Sequence, residues 1–289
     1  MIKDSHIISD PESLVSAIDG YDGKEDKQRQ TAIDYVVNKY GAEKTEEWKQ
    51  RGDSNTVRSS TFGTCERRAV YSVIEGGEIP VDHEQFVKER MYLGLQGENI
   101  FRDFLVDLPG VLHEEQNTFP IHVKSPQEVK DKKGKVLMEF VATTDFVQEL
   151  TIKDEKYYIP IELKNTGYMK KWNEFDGHRY HKEQLLTWIH IGKEMGLNVP
   201  YGLLVYVHDL FNWGRLHDIK VVTITVDTTF KKIGRLREDY FIWKPYIEQK
   251  RKLVIDGVKK KKLPPVPVHL PKYICKSCPF QDKCERDEI

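Results

Sequence analysis

The chain has 289 residues, 39% hydrophobic and 31% charged, which suits one large globular domain or two small ones. Aromatic residues make up 11%, and Gly and Pro are ordinary in number, which excludes collagen, low-complexity and disordered classes. A formal net charge of −1 excludes a uniformly basic surface for nucleic acid. The average conceals two unlike halves, because residues 1–150 carry 19 basic and 28 acidic side chains, whereas residues 151–289 carry 26 and 18.

No stretch approaches the ~18 consecutive apolar residues of a membrane span. The first residues also lack the charged, apolar and small-residue pattern of a signal peptide. We therefore expect a cytoplasmic protein with no membrane partner, and the basic second half suggests an anionic ligand.

The hydrophobic pattern predicts an α/β protein in which helices pack on a mixed sheet. Residues 1–56 are acidic and carry one predicted helix, so we interpret them as an extension to a main domain at residues 57–289. The predicted helices are 30–40, 84–107 (ending at Pro109 and Gly110), 180–195 (ending at Gly196), and a last one from about Thr229 that carries Leu236 and Tyr240 and that Pro245 should kink or end. The predicted strands are 116–123, 136–147, 156–164, 202–208 and 219–226.

The four cysteines are distributed as one plus three. Cys275, Cys278 and Cys284 lie together near the C-terminus in a Pro-flanked segment, and Cys65 stands alone. Because the cytosol keeps thiols reduced, this clustering favours a four-Cys metal centre over disulfides. Zinc and iron–sulfur clusters both take four Cys ligands. The one-plus-three spacing is unlike the paired knuckles of structural zinc sites, so we favour iron–sulfur.

Cys65 follows Ser59, Ser60 and Thr61, which are residue types that cap helices. The sequence therefore predicts a helix that carries Cys65 and Tyr71. One metal ligand on this helix and three near the C-terminus would close a loop of roughly two hundred residues, which should stabilise the fold.

Acidic and basic side chains meet at the ends of two predicted neighbouring strands. Asp145 lies near the end of one, and Glu162-Leu163-Lys164 closes the next. Because side chains alternate along a strand, Glu162 and Lys164 share one face while Leu163 turns into the core. Carboxylates suit Mg²⁺ and Mn²⁺, the metal activates water, and a lysine can stabilise developing charge. The set suits phosphodiester hydrolysis, although an acid and a lysine two residues apart also occur by chance on solvated strand ends.

Three further features support this chemistry. Glu98 lies on the long predicted helix, four residues after a glycine, where it can supply a third ligand. Asp145 precedes Glu162 by seventeen residues, which is a distance typical of a hairpin. Gln184 and Trp188 are four residues apart on a predicted helix, so they project from one face.

These motifs together resemble a known nuclease family. Their order is Gly-x-x-x-Glu98, Asp145, Glu-x-Lys at 162–164 and Gln-x-x-x-Trp at 184–188, bracketed by one Cys before and Cys-x₂-Cys-x₅-Cys after. The order resembles the RecB-like branch of the PD-(D/E)XK nucleases that carries an iron–sulfur cluster, in particular the fourth CRISPR-associated exonuclease family and its phage-borne relatives. The resemblance covers about residues 57–289.

The resemblance implies an α/β restriction-endonuclease-like core, in which an iron–sulfur region (Cys65 and residues 264–289) joins the N-terminal and C-terminal parts. It also implies an exonuclease that acts on single-stranded DNA ends with Mg²⁺ or Mn²⁺, in a bacterial, archaeal or phage-infected host cell. By resemblance, Glu98, Asp145, Glu162 and the Leu163 carbonyl bind the metal, Lys164 is the catalytic lysine, Gln184 orients the site or the DNA, and Cys65, Cys275, Cys278 and Cys284 hold a [4Fe–4S] cluster.

Two positions depart from the family pattern. Glu98 stands where the family usually has His, which could change the preferred metal. Trp188 stands where it usually has Tyr, which keeps a stacking face and loses a hydroxyl.

Basic and aromatic residues near the Glu-x-Lys motif are candidates for contacts with DNA, since bases stack on rings and phosphates attract charge. For the group just before Gln184, which includes His181 and Lys182, the alternative is a solvated helix start. The candidates are Lys170, Lys171, Trp172, His178, Arg179, Tyr180 and Trp188.

Two other interpretations stay open from the sequence. The chain could be a non-catalytic DNA-binding protein that keeps the nuclease fold, for example one that interferes with CRISPR adaptation, although the complete acid–acid–lysine set argues against it. It could also be a zinc-stabilised protein without nuclease activity. Roles in repair or recombination, phage DNA metabolism and CRISPR adaptation all fit.

Overall fold

The computed structural model describes residues 55–77, 110–113, 120–166, 177–208, 218–227, 236–267, 270–276 and 278–286. The predicted helices 30–40 and 84–107 lie outside these residues, as does nearly all of the predicted extension. The described strands are β1 Thr56–Arg58, β2 Val111–His113, β3 His122–Lys124, β4 Val129–Lys130, β5 Val136–Thr143, β6 Phe146–Ile152, β7 Glu155–Thr166, β8 Tyr201–His208, β9 Asp218–Thr225 and β10 Leu236–Asp239. The described helices are α1 Ser59–Thr64, α2 Glu66–Ile74, α3 Arg179–Glu194, α4 Tyr240–Lys260, α5 Lys272–Lys276 and α6 Gln281–Arg286.

The described strands form two sheets. The smaller sheet centres on β5, which pairs parallel with β1 and antiparallel with β3 and β4. The larger sheet has the order β10-β9-β8-β7-β6-β2 and is mixed, because β10/β9 and β8/β7 are parallel and the other pairs antiparallel. Helices pack on these sheets, which confirms the predicted mixed α/β class. Within the described ranges, no helix has the length and apolar character that crossing a membrane requires.

Helix α3 runs through the centre of the core and confirms the helix predicted at 180–195. It contacts β3, β5, β7 and β8 as well as α1 and α4. Its apolar side chains, including Leu185 and Leu186, are fully buried. The helix stops before Gly196, whose φ of +84° is the left-handed conformation that glycine adopts without strain.

The strands predicted at 156–164, 202–208 and 219–226 are confirmed as β7, β8 and β9, and β3 overlaps the end of the strand predicted at 116–123. The single strand predicted at 136–147 is wrong. The chain instead leaves one sheet at Thr143 and enters the other at Phe146. Buried Thr144 secures this crossing, because its hydroxyl donates to the Ile161 carbonyl at 2.9 Å.

The helix predicted from about residue 229 is wrong at Leu236, which lies in β10. The helix α4 begins just after Asp239, whose carboxylate caps it by accepting a hydrogen bond from Phe241 N at 2.8 Å. The predicted end at Pro245 is also wrong, since α4 continues to Lys260, while a kink there stays a prediction. Proline removes one backbone donor, and in the second turn α4 tolerates that loss.

The helix predicted to carry Cys65 is interrupted at that residue. Cys65 is extended (φ −154°, ψ 123°) and lies between α1 and α2. Its N–H donates to the Thr61 carbonyl at 2.9 Å, and its carbonyl accepts from Ala69 N at 3.1 Å. Cys65 is therefore the N-cap of α2. The residue that precedes α1 is Arg58, with no side-chain cap, so the predicted capping by Ser or Thr is wrong.

Candidate active site

The crossing from β5 to β6 places Asp145 beside β7. Because Phe146 pairs with Ile161, Asp145 comes level with the residues that follow Ile161 on β7. The Asp145 Oδ2 atom accepts a hydrogen bond from Leu163 N at 2.6 Å. The backbone of β7 thus fixes one predicted acid next to the other.

Glu162 is buried, with 1% of its side chain exposed, and it gathers two other predicted site residues. Its Oε1 accepts hydrogen bonds from Lys164 Nζ at 2.5 Å and from Gln184 Nε2 at 2.6 Å. A buried carboxylate needs such donors to replace the hydrogen bonds that it would otherwise make to water. Lys164 keeps 20% of its side chain exposed, so it lies at the edge of the buried region. Asp145, Glu162, Lys164 and Gln184 therefore meet at one place.

Close packing of α1 against α3 positions Gln184. A Cβ atom on Gly63 would lie only 2.9 Å from Gln184 N, which no side chain allows. Glycine is therefore needed in α1 for α3 to approach this closely. The approach point is two residues before Cys65.

A buried ion network holds the same turn of α3. Glu183 is fully buried, and its carboxylate accepts from Lys250 Nζ at 2.5 Å and from Arg179 Nε at 2.8 Å. Lys250 Nζ also lies 3.3 Å from Glu66 Oε1 and 3.3 Å from the Gly63 carbonyl. Lys250 thus connects α4 with α1, α2 and α3. Its partner on α3, Glu183, is the residue before Gln184 of the site.

Four predicted site residues lie outside the described part of the chain. They are Glu98, Lys170, Lys171 and Trp172. Their roles as a metal ligand and as DNA contacts stay predictions.

The predicted contact of Trp188 with DNA is wrong in this structure. Its side chain is fully buried, and its indole Nε1 donates to the Ile121 carbonyl at 3.0 Å. Four residues turn a helix by one full turn and about 40° more. Trp188 is therefore rotated into the core, whereas Gln184, one turn earlier, reaches the site.

The other three predicted DNA contacts lie at the start of α3. The His178 ring stacks on Tyr180, with centroids 5.2 Å apart and planes at 19°. The Arg179 guanidinium lies over the Tyr246 ring at 4.5 Å and pairs with Glu183, so it has a structural role whether or not DNA binds. Contacts of these residues with DNA stay predictions.

Sequence reasoning missed Tyr206 and named His181 only as one member of the basic and aromatic group before Gln184. Tyr206 is fully buried and is the Cα partner of Lys164 across the parallel β7/β8 pair. Its hydroxyl accepts from His178 N at 2.8 Å and lies 3.1 Å from His181 Nδ1. Burial lowers the pKa of His181 well below its usual value, and the charges of Lys164 and His178 add to this. A prediction that β7 pairs with β8 would have placed Tyr206 next to Lys164 and so identified it.

The four cysteines lie in two segments that pack together. All four are described, and none forms a disulfide. Phe280, two residues after Cys278, stacks on Tyr71 of α2 with centroids 5.3 Å apart and planes at 22°. Burial raises the pKa of the Cys65 thiol to about 11, and the charge of nearby Cys278 contributes. The helix that follows Cys65 therefore packs against the C-terminal segment, and a metal centre shared by the four cysteines stays a prediction.

The donor types fit the predicted groups, in part. Asp145 and Glu162 offer hard oxygen ligands side by side, as Mg²⁺ or Mn²⁺ requires, and the thiols suit an iron–sulfur cluster. Among the described residues, no three side chains of His, Cys, Asp or Glu are gathered to hold a metal ion. The third predicted acid, Glu98, is not among those residues.

Comparison with known proteins supports the fold alone. No protein-family model matches the sequence, and no curated protein matches it either. Among solved structures, a crystal structure of SSO0001 is similar with a TM-score of 0.50 and 16% sequence identity, over 88% of this chain and 96% of that chain. At this identity the similarity extends to the mixed α/β architecture and no further.

Proposed function

We propose that the protein is a metal-dependent DNA nuclease with a PD-(D/E)XK core, which hydrolyses phosphodiester bonds at single-stranded ends. The observation that carries the proposal is the meeting of Asp145, Glu162, Lys164 and Gln184 toward the C-terminal end of β7. Their order along the chain is also the order in the nuclease family that the sequence resembles. Burying the charge of a glutamate lowers the stability of the fold, even when a lysine and a glutamine bond to it. Such groups are found more often at functional sites, which favours a catalytic role for Glu162.

Each residue has a distinct role in this proposal. A bound divalent cation would polarise the scissile phosphate and activate water. Asp145, Glu162 and the Leu163 carbonyl would hold that cation, while Leu163 N fixes the Asp145 carboxylate. Gln184 fixes Glu162, and the partly exposed Lys164 ammonium would stabilise the charge that develops on the phosphate.

The cysteines would serve the fold rather than the reaction. A [4Fe–4S] cluster on Cys65, Cys275, Cys278 and Cys284 would tie the C-terminal segment to α2, where the stacked Tyr71 and Phe280 rings already join them. Iron and sulfide analysis of anaerobically purified protein, together with zinc analysis, tests this assignment.

The test of the nuclease proposal is cleavage of DNA labelled at its 5′ or 3′ end, single- or double-stranded, with Mg²⁺ or Mn²⁺. Glu162→Gln and Lys164→Met should each lower the cleavage rate at least about a hundredfold, since each removes a group that acts on the transition state. The two labels also report the polarity of digestion.

The same hairpin contains a matched control. Glu149 on β6 and Lys156 on β7 form an exposed ion pair at 2.6 Å, away from the proposed site. Glu149→Gln and Lys156→Met should cleave at the wild-type rate. Binding of DNA without cleavage in either metal would favour the non-catalytic interpretation, and full activity of both site variants would exclude the assigned residues.

A further inference from the structure

Helix α3 places His181 above the lysine of the proposed site. His181 and Gln184 are three residues apart, so they share one face of the helix. On that face Gln184 reaches Glu162 on β7, and His181 reaches Tyr206 on β8. Because Tyr206 and Lys164 are lateral neighbours in the parallel pair, His181 lies on the Lys164 side of the site.

Tyr206 holds His181 through a chain of hydrogen bonds. The backbone N–H of His178 can only donate, and it donates to the Tyr206 hydroxyl at 2.8 Å. The phenol proton can then be given to His181 Nδ1, 3.1 Å away. The turn before α3 closes on the same ring, because a Cβ on Gly177 (φ +95°) would lie 3.1 Å from Tyr206 Cε2.

With Nδ1 accepting, a neutral imidazole carries its proton on Nε2. Burial and the Lys164 ammonium both lower the pKa of His181, which favours this neutral form at pH 7. Among the described residues, the only hydrogen-bonding partner of the ring is the Tyr206 hydroxyl. The Nε2–H group is therefore available as a donor beside Lys164.

We propose that His181 donates a hydrogen bond from Nε2 to a non-bridging oxygen of the phosphate that is cleaved, and that Tyr206 fixes the tautomer this requires. The inference rests on the proposed nuclease function and adds a substrate-contacting residue to it. A neutral donor stabilises the extra negative charge of the transition state without repelling Lys164.

The first test compares single-turnover cleavage rates. His181→Leu removes the donor and should slow cleavage about a hundredfold. His181→Gln, whose amide can place a donor near the Nε2 position, should recover part of that loss. Tyr206→Phe keeps the buried ring and should slow cleavage about tenfold, because it removes only the hydroxyl. Lys193→Met, at the exposed far end of the same helix, is the control. A wild-type rate in His181→Leu would overturn the proposal.

The second test separates a phosphate contact from a structural effect. Substrates with sulfur in place of either non-bridging oxygen are compared with normal DNA, in wild type and in His181→Leu. Sulfur accepts hydrogen bonds weakly, so one of the two diastereomers should show a larger thio effect in wild type than in the variant. If His181→Leu slows all three substrates by the same factor, His181 does not contact the phosphate and the inference is wrong.

A third measurement keeps this inference distinct from the nuclease proposal. Affinity for a fluorescent single-stranded oligonucleotide is measured in Ca²⁺, without any need for cleavage. If wild type binds DNA in Ca²⁺ but does not cleave it with Mg²⁺ or Mn²⁺, the nuclease proposal fails. Weaker binding in His181→Leu, with recovery in His181→Gln, would still support the contact. If wild type does not cleave and its affinity equals that of His181→Leu, the inference is overturned.

Discussion

The Lys250→Met variant should have a markedly lower unfolding temperature than the wild type. Lys250 is 1% exposed and bonds fully buried Glu183 at 2.5 Å, with Glu66 3.3 Å away. Removing one partner of a buried ion pair leaves an uncompensated charge, which costs about 3–5 kcal/mol. Arg179 still pairs with Glu183 at 2.8 Å and would limit that part of the loss, whereas Glu66 would lose a cation. For a chain of this size the cost lowers the unfolding temperature by about 6–20 °C.

Urea and thermal unfolding of three variants measure this prediction. Lys244→Met is the control, because Lys244 pairs with Glu248 at 3.7 Å on the exposed side of the same helix and should cost less than about 1 kcal/mol. The double variant Lys250→Met with Glu183→Gln should be more stable than Lys250→Met alone, since the buried negative charge is removed. If Lys250→Met unfolds at the same temperature as Lys244→Met, the network does not hold the four helices together.

Three further outcomes are expected. Gly63→Ala should lower both the unfolding temperature and the cleavage rate, because its Cβ would lie 2.9 Å from the backbone of Gln184; unchanged values of both would refute the close packing. Burial lowers the pKa of His181 and of His190 below the usual 6.5, so the unfolded chain takes up protons before the folded chain as the pH falls. The free energy of unfolding should therefore decrease as the pH drops below 6.5. Unfolding temperatures from pH 7.5 to 5 should show the fall, less steeply in His190→Gln. Phe280→Ala should release the C-terminal segment, seen as faster proteolysis there and a lower iron content, and unaltered proteolysis would contradict the stacking.

Sequence patterns predicted the elements whose residue types favour one secondary structure. Strand β7 is rich in aromatic and β-branched residues before Glu162, and α3 has apolar side chains at helical spacing, so both were found within a few residues. The crossing at Thr144 was missed because the residues on both sides of it are equally apolar, and a strand that changes sheets has the same pattern as one that does not. Leu236 was placed in a helix because short apolar segments fit either period.

The meeting of Asp145 and Glu162 was predicted from strand ends and hairpin spacing, which are local properties, whereas the place of Gln184 at the site was predicted from the resemblance to the nuclease family. The residues that support them are not local. Lys250 lies in a helix rich in basic residues, and nothing in the sequence distinguishes a lysine that is buried against Glu183 from its exposed neighbours. Such contacts depend on how helices far apart in sequence are packed.

The most direct measurement is Mn²⁺ binding, followed by electron paramagnetic resonance, beside cleavage of single-stranded DNA in the same samples. If Asp145 and Glu162 hold the metal that activates water, binding and cleavage should rise over the same range of Mn²⁺ concentration. Both should be lost together in Asp145→Asn and kept in the hairpin control Glu149→Gln. Cleavage that persists in Asp145→Asn, or that proceeds when chelators remove the metal, would contradict the proposed site.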